Sequence, residues 1–256
     1  MKHTVIVTGA TAGFGAAISR RFLAQGHKVI ATGRRQDRLD QLKNDLPSDQ
    51  QALLFTAILD VCDPKAVANF PKTLPSEFAN VTILVNNAGL ALGLEPAHQA
   101  YLDDWNQMID TNVKGLVHMT RAILPGMVER KQGHVINLGS VAGTYPYPGG
   151  NVYGGTKAFV HQFSLNLRSD LIGTPVRVTS LEPGMCSGTE FSNVRFKGDD
   201  AKAGKVYEGV TALSADDIAE SVYWVSTLPK HVNINTMEMM PVQQAFAPFA
   251  VHRQPV

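Results

Sequence analysis

Tyr153 and Lys157 stand four residues apart in a stretch, about 152–172, whose apolar spacing predicts a helix. Residues so spaced share one helix face. A free phenol has a pKa of about 10 and moves protons poorly at neutral pH. A neighbouring ammonium favours the phenolate, and a lowering of two units corresponds to about 2.7 kcal/mol. The pair therefore suits acid–base work at an oxygen atom. Ser140 lies just past an apolar run, His134–Leu138, and can hydrogen-bond the same oxygen. Taken alone, a Tyr and a Lys at this spacing also describe a solvated surface pair. Their weight comes from the company they keep.

That company begins with Thr8-Gly9-Ala10-Thr11-Ala12-Gly13-Phe14-Gly15, between a first apolar run and a first amphipathic one. Glycines let a backbone turn sharply and let a pyrophosphate approach without a Cβ in the way. The N–H groups and positive end of the following helix then attract phosphate. The spacing is Gly-x3-Gly-x-Gly, and no Lys-Ser/Thr pair follows, which separates it from a P-loop. A Gly-rich turn without ligand is the alternative. A second run ends at Thr32-Gly33-Arg34-Arg35, where a site selective for NAD usually carries an acidic residue and arginines suit a 2′-phosphate. Cations at a helix start oppose the macrodipole. A bound phosphate explains Arg34, Arg35 and Arg38 better than solvent does, so NADP is favoured over NAD. Asp60-Val61 can border the adenine, or Asp60 can simply cap a helix. Asn86-Asn87-Ala88-Gly89 closes a fourth run, and its backbone can line the cofactor or form an ordinary turn.

Runs at Thr4–Thr8, Val29–Thr32, Leu53–Leu59, Val81–Val85, His134–Leu138 and Val176–Leu181 read as buried strands, and Val232–Met240 as a last one. Helices are predicted over 13–26, with Ile18 and Phe22 four apart on one face, 35–46, 64–74, 103–129 with a kink or break near Pro125, and 152–172, with Phe159, Phe163 and Leu167 in register on one face. Ser214–Asp217 forms a capping box for a helix to about Leu228. Continuous apolar strands alternating with helices predict an α/β, Rossmann-like, doubly wound parallel sheet with helices on both faces. Ligands in such folds bind beyond the carboxyl ends of the strands, where each of these motifs falls.

The chain has 256 residues and no Pro-, Ser- or charge-rich linker, which predicts one domain, 1–256. Within it, about 185–213 reads as a mobile lid and about 241–256 as a tail. Net charge is +1, with 23 Lys plus Arg and 22 Asp plus Glu, which gives no electrostatic case for nucleic acid or an anionic membrane. Cys62 and Cys186 have neither metal nor disulfide-framework spacing and read as free thiols. No metal site is expected. No segment is apolar enough to span a membrane and no signal peptide is visible, so the expected location is the cytoplasm.

The sequence resembles the short-chain dehydrogenase/reductase family over nearly its whole length. The likeness rests on Thr8–Gly15, Asn86–Gly89, Asn112, Ser140, Tyr153, Lys157 and Pro183-Gly184. It implies an NADP-dependent oxidoreductase acting on a CH–OH group. Tyr153 would be its acid/base, Lys157 the modulator of that phenol and a ribose contact, Ser140 the substrate orienter, and Asn112 the holder of a relay water. Asn87 and Pro183–Phe191, with Thr189 and Phe191, would lie on the nicotinamide side. Within the family the sequence is similar to bacterial 3-hydroxy acid dehydrogenases acting on serine and L-allo-threonine. This rests on Gly149–Tyr153, Glu190–Arg195, Asn233–Asn235 and Met239–Val242. Sulfoaldehyde reductases look similar in the same regions, and a catalytically silent NADP-binding sensor is the alternative from another class. The family implies a homo-oligomer, a tetramer. An independent hint is the tail, whose Phe246, Pro248, Phe249 and Val251 need a surface to bury against, on a partner or on the chain itself. A hydroxy acid also needs a cation or several donors for its carboxylate. Arg195, after Pro183-Gly184, is the expected anchor, or else a lid charge paired, like Lys197, with Glu190, Asp199 or Asp200.

Overall fold

The computed structural model describes residues 2–246. Seven strands, β1 (Thr4–Thr8), β2 (Lys28–Gly33), β3 (Leu54–Ile58), β4 (Ile83–Asn86), β5 (Gly133–Leu138), β6 (Val176–Pro183) and β7 (Thr236–Met239), form one sheet. All pair in parallel, in the spatial order β3-β2-β1-β4-β5-β6-β7. Around them lie α1 (Gly13–Ala24), α2 (Gln36–Asn44), α3 (Ser48–Gln51), α4 (Pro64–Thr73), α5 (Leu102–Ile109), α6 (Leu116–Glu129), α7 (Asn151–Asp170), α8 (Phe191–Arg195), α9 (Asp200–Lys205) and α10 (Ala215–Thr227).

Successive strand residues point to opposite faces, and both faces are covered. Val5, Val7, Val29, Ala31, Val85 and Leu181 meet Ile18 and Phe22 of α1 and Ile218 and Val222 of α10. Ile6, Ile30, Leu84, Val135 and Val178 meet Phe70 of α4, Met119, Ile123 and Met127 of α6, and Leu167 of α7. The doubly wound architecture is therefore as the sequence predicts. The strand order reverses between β1 and β4, which is where such a sheet opens a crevice for ligand.

Three readings need correction. The long helix of 103–129 is two helices joined by a π-helical turn, Asp110–Gly115, and α6 continues through Pro125 to Glu129. The inward face of α7 runs through Tyr153, Lys157, Val160, Ser164 and Leu167, so Phe159 is exposed and stacks on Phe163 at 5.6 Å. The last strand is shorter than Val232–Met240. Asn233 pairs with β6 through its side chain, accepting from Val178 N at 2.8 Å and donating to Val178 O at 2.9 Å. The capping box is as expected: Asp217 N donates to Ser214 Oγ at 3.1 Å, and Ser214 N to Asp217 Oδ2 at 2.8 Å. Both cysteines are free. Among the described residues no helix is long and apolar enough to cross a membrane, and no cluster of His, Cys, Asp and Glu could hold a metal.

Candidate active site

At the switch point the chain leaves β1 through Gly9, which has φ +66°. A Cβ there would stand 2.9 Å from Ala88 Cα, so only glycine lets this loop lie on the end of β4. Asn87 fastens the contact, its Nδ2 donating to Thr8 O at 2.8 Å and Gly9 O at 3.2 Å. Thr8 Oγ1 accepts the N–H groups of Asn87 and Ala88, both at 3.0 Å. Helix α1 then starts from Ala12, which offers no side-chain cap. Its first-turn N–H groups are left for another acceptor, and an anion there is favoured by the helix dipole. Ala10 beneath the loop is fully buried. Thr11, Ala12, Gly13 and Phe14 line a cavity of about 750 Å³, and Gly15 packs on Gly9 and Asn87.

Arg34 and Arg35 close the same cavity at the end of β2. Arg34 has no ion-pair partner among the described residues. Arg35, at the N-cap of α2, donates to Thr11 Oγ1 at 3.1 Å and pairs with Glu190 at 2.8 Å. An uncapped helix end and two arginines form a donor set that fits the pyrophosphate and 2′-phosphate of NADP. Asp60 and Val61 are in the wall beside them. Asp60 Oδ1 accepts Cys62 N at 2.9 Å, so it also caps its own turn.

At the other end of the cavity, α7 carries Tyr153 and Lys157 inward, each 8% exposed. Ser140, just past the end of β5, accepts from Ala142 N at 3.1 Å and donates to Pro183 O at 3.5 Å, and its hydroxyl lies near enough to Tyr153 to favour the phenolate. Lys157 Nζ donates to Leu138 O at 2.7 Å and lies 5.9 Å from the Tyr153 ring centre. The expectation that the ammonium lowers the phenol's pKa needs correction here. Burial pushes Tyr153 up, while Ser140 and the Arg195 charge pull the other way without winning. Burial also brings Lys157 down to about 8, against the pull of Glu182. A buried phenol lacks the water that would stabilise its anion, and a buried ammonium is destabilised likewise. The tyrosine is thus held as a proton donor.

Asn112 sits in the π turn, a common device at functional sites. Its Oδ1 accepts Leu90 N at 2.9 Å, and its Nδ2 donates to Leu90 O at 2.8 Å and Thr156 Oγ1 at 3.0 Å. It therefore ties the loop after β4, including Gly89, to α7. Pro183 and Gly184 end β6 in the cavity wall, with Gly184 N bound to Met239 O at 2.7 Å. Thr189 lies over Gly13, and Phe191 meets the Tyr153 ring edge-on at 5.7 Å.

Arg195 projects from α8 into this end of the cavity, 5.4 Å from the Tyr153 ring centre. It donates to the Tyr147 hydroxyl at 2.5 Å and to Gly93 O at 3.3 Å. The carboxylates that might have paired with it are engaged elsewhere: Glu190 with Arg35 and Arg38, Asp199 with Lys202, Asp200 with Asn193. Lys197 pairs with Asp104 at 2.9 Å. Sequence reasoning missed Tyr147, Glu182 and Gln244. Tyr145-Pro146-Tyr147-Pro148, two aromatic residues held by prolines between Ser140 and Tyr153, was the available signal. Gln244 had none; its Oε1 accepts Met185 N at 2.7 Å.

A parallel sheet whose switch point holds both a phosphate cradle and a buried Tyr–Lys pair defines a dinucleotide-binding protein built for acid–base chemistry. The pattern of the short chain dehydrogenase family matches residues 3–200, and the chain belongs to that family. It is 65% identical over 250 residues to the NADP-dependent 3-hydroxy acid dehydrogenase YdfG of Escherichia coli K12, covering 98% of this chain and 99% of that one. It is 53% identical over 254 residues to the serine 3-dehydrogenase of Rhizobium radiobacter, covering 99% and 100%. Among solved structures, the closed form of a serine dehydrogenase complexed with NADP+ superposes with TM-score 0.94 at 65% identity, covering 98% of this chain and 99% of that one.

Proposed function

We propose that this protein is an NADP-dependent dehydrogenase that interconverts a 3-hydroxy acid, of the serine, L-allo-threonine or 3-hydroxypropionate type, with its oxo acid or semialdehyde. The observation that carries the reading is a guanidinium, Arg195, with no carboxylate partner among the described residues, beside the buried phenol of Tyr153 in one cavity. The names of the relatives agree with it. NADP, when bound, supplies or accepts the hydride. Its pyrophosphate would be held by Gly9–Gly15 at the start of α1 and its 2′-phosphate by Arg34 and Arg35, with Asp60, Val61, Asn87–Gly89, Pro183, Gly184, Thr189 and Phe191 lining its path.

In reduction Tyr153 gives its proton to the carbonyl oxygen, and in oxidation its phenolate takes it back. Ser140 holds that oxygen by a hydrogen bond. Lys157 keeps a positive charge near the phenol, which favours the phenolate after proton loss. Asn112 holds α7 against the loop after β4 at the distance these groups need. Arg195 grips the substrate carboxylate, with the planar two-point geometry that suits a carboxylate. Residues 185–213 act as a lid, whose α8 closes the substrate end. The protein is a homotetramer of the cytoplasm, where its two free thiols fit the reducing conditions.

The test is a spectrophotometric screen of NADP+ reduction across 3-hydroxy acids, serine and threonine isomers, and hydroxysulfonates. Turnover highest on hydroxy carboxylates supports the proposal. Preference for hydroxysulfonates moves it to a sulfoaldehyde reductase, and NADP binding without turnover on any of them marks a sensor.

A further inference from the structure

Behind the Tyr153–Lys157 pair lies a charge that the chemistry above does not use. Tyr153, Lys157 and His161 recur every four residues along α7, so their side chains follow one another on one helix face. Facing that row from β6 is Glu182, only 2% exposed. Its Oε1 accepts from Ser180 Oγ at 2.7 Å and from His161 Nδ1 at 2.6 Å. His161 is the end of the row that reaches solvent, with 34% of its side chain exposed.

The end of β5 serves all of these groups with three consecutive residues. Leu138 O holds the Lys157 ammonium, Ser140 lies near enough to Tyr153 to favour its phenolate, and between them Gly139 leaves room for Glu182. A Cβ at Gly139 would stand 2.8 Å from Glu182 Cγ, so the glycine is what lets the carboxylate come up behind the lysine. The other ionisable groups near Glu182 are Glu238, its register partner on β7, and Tyr145, whose hydroxyl donates to Glu238 at 3.2 Å. Glu238 is exposed and accepts from Tyr145, and Lys157, one turn along α7 from the His161 that binds Glu182, is the buried cation whose charged form the carboxylate favours against desolvation. A carboxylate this buried is costly unless it is hydrogen-bonded and its charge is balanced. The same holds for the lysine.

We propose that Glu182, held by His161 and Ser180, is a positioning residue whose buried carboxylate keeps Lys157 an ammonium. The inference rests on the dehydrogenase reading for its kinetic consequence but not for its effect on folding. Lys157 titrates at about 8 in the fold, against about 10.4 in an unfolded chain. Between those values the unfolded state holds this proton and the folded state does not, so the lysine's contribution to stability rises with pH across the window, while Cys186, pushed up to about 12 by burial, acts in the opposite sense in wild type and variant alike. Removing the negative charge pushes the folded value lower still, and the rise begins at lower pH.

The experiment follows unfolding of the enzyme without cofactor, from pH 6 to 10, for the wild type, Glu182→Gln, Lys157→Met and the double variant. Glu182→Gln is expected to start its gain in stability about one pH unit below wild type. In the Lys157→Met background the same change should alter nothing in the alkaline part of the curve, from about pH 8 upward, its effect being confined to the acid end where the carboxylate's bond to His161 is lost. With NADPH and substrate, the alkaline limb of kcat/KM should move down by the same amount, about a ten-fold loss at a pH beyond the limb. Curves for wild type and Glu182→Gln that run parallel, or a shift that persists without Lys157, overturn the proposal and leave Glu182 a structural residue. If Glu182→Gln does not fold, Glu182→Asp carries the test: the shorter carboxylate must move the onset the same way by a few tenths of a unit, and an unmoved onset overturns the proposal. A shift in folding in a protein with no turnover would defeat the dehydrogenase reading and leave the Glu182–Lys157 coupling standing.

Discussion

At the residue scale, Tyr153 is a phenol buried where its neutral form is favoured, with the opposing pull of Ser140 and Arg195 too weak to reverse this. Removing only the hydroxyl tests whether this proton is the one transferred. Tyr153→Phe should reduce kcat by about 10²- to 10⁴-fold, the usual worth of a positioned acid–base group. NADPH binding, followed by fluorescence, should stay near wild type. A kcat close to wild type would sink the mechanism. Arg195→Met tests the other half of the site. KM for hydroxy acids should rise by about ten-fold or more, each factor of ten being about 1.4 kcal/mol. KM for NADP and turnover of an uncharged alcohol should change little. Equal damage to acidic and uncharged substrates would mean that Arg195, through its bonds to Gly93 and Tyr147, shapes the lid instead of recognising the acid.

At the scale of elements, under the proposed function, the junctions after β1 and β2 divide the work of holding the dinucleotide. The first offers backbone N–H groups, which bind any pyrophosphate. The second offers Arg34 and Arg35, which matter only if a 2′-phosphate is present. Replacing both by Gln should weaken NADPH about ten- to hundred-fold, the range for lost charge-assisted bonds, and NADH only a few-fold. Titration with each nucleotide measures this, and equal losses would show that the arginines do not read the phosphate. Glu190 gives the result a second component, since its carboxylate pairs with Arg35 and Arg38. The double variant therefore also frees one end of the segment that carries Phe191 and Arg195.

At the scale of the whole molecule, one continuous sheet carries the proposed site residues at the carboxyl ends of its strands. Phe246 stacks on Tyr145 of its own chain at 4.6 Å yet stays 63% exposed. Half of its surface question is thus answered within the chain, while Pro248, Phe249 and Val251 lie outside the described residues. Sedimentation at micromolar concentration is expected to give a tetramer of about four times the 27.7 kDa chain. A monomer under those conditions would end that expectation.

The sequence by itself determined the parallel sheet, the switch-point site and the Tyr153–Lys157 face, because periodicity and spacing are local and strands and helices inherit them directly. It also marked Gly9 and the capping box at Ser214, where one backbone geometry admits few residue types. The tertiary structure alone decided what depends on burial and on distant neighbours. Burial pushed Tyr153 up, against the expectation from its spacing to Lys157, and brought Lys157 down. Packing chose the inward face of α7, turned Asp110–Gly115 into a π turn, and let the Asn233 side chain stand in for part of β7. It also brought Glu182, 25 residues beyond Lys157 in the chain, to the back of the lysine through the gap at Gly139. Desolvation and long-range charge depend on which residues meet in space, and spacing along a chain does not carry that.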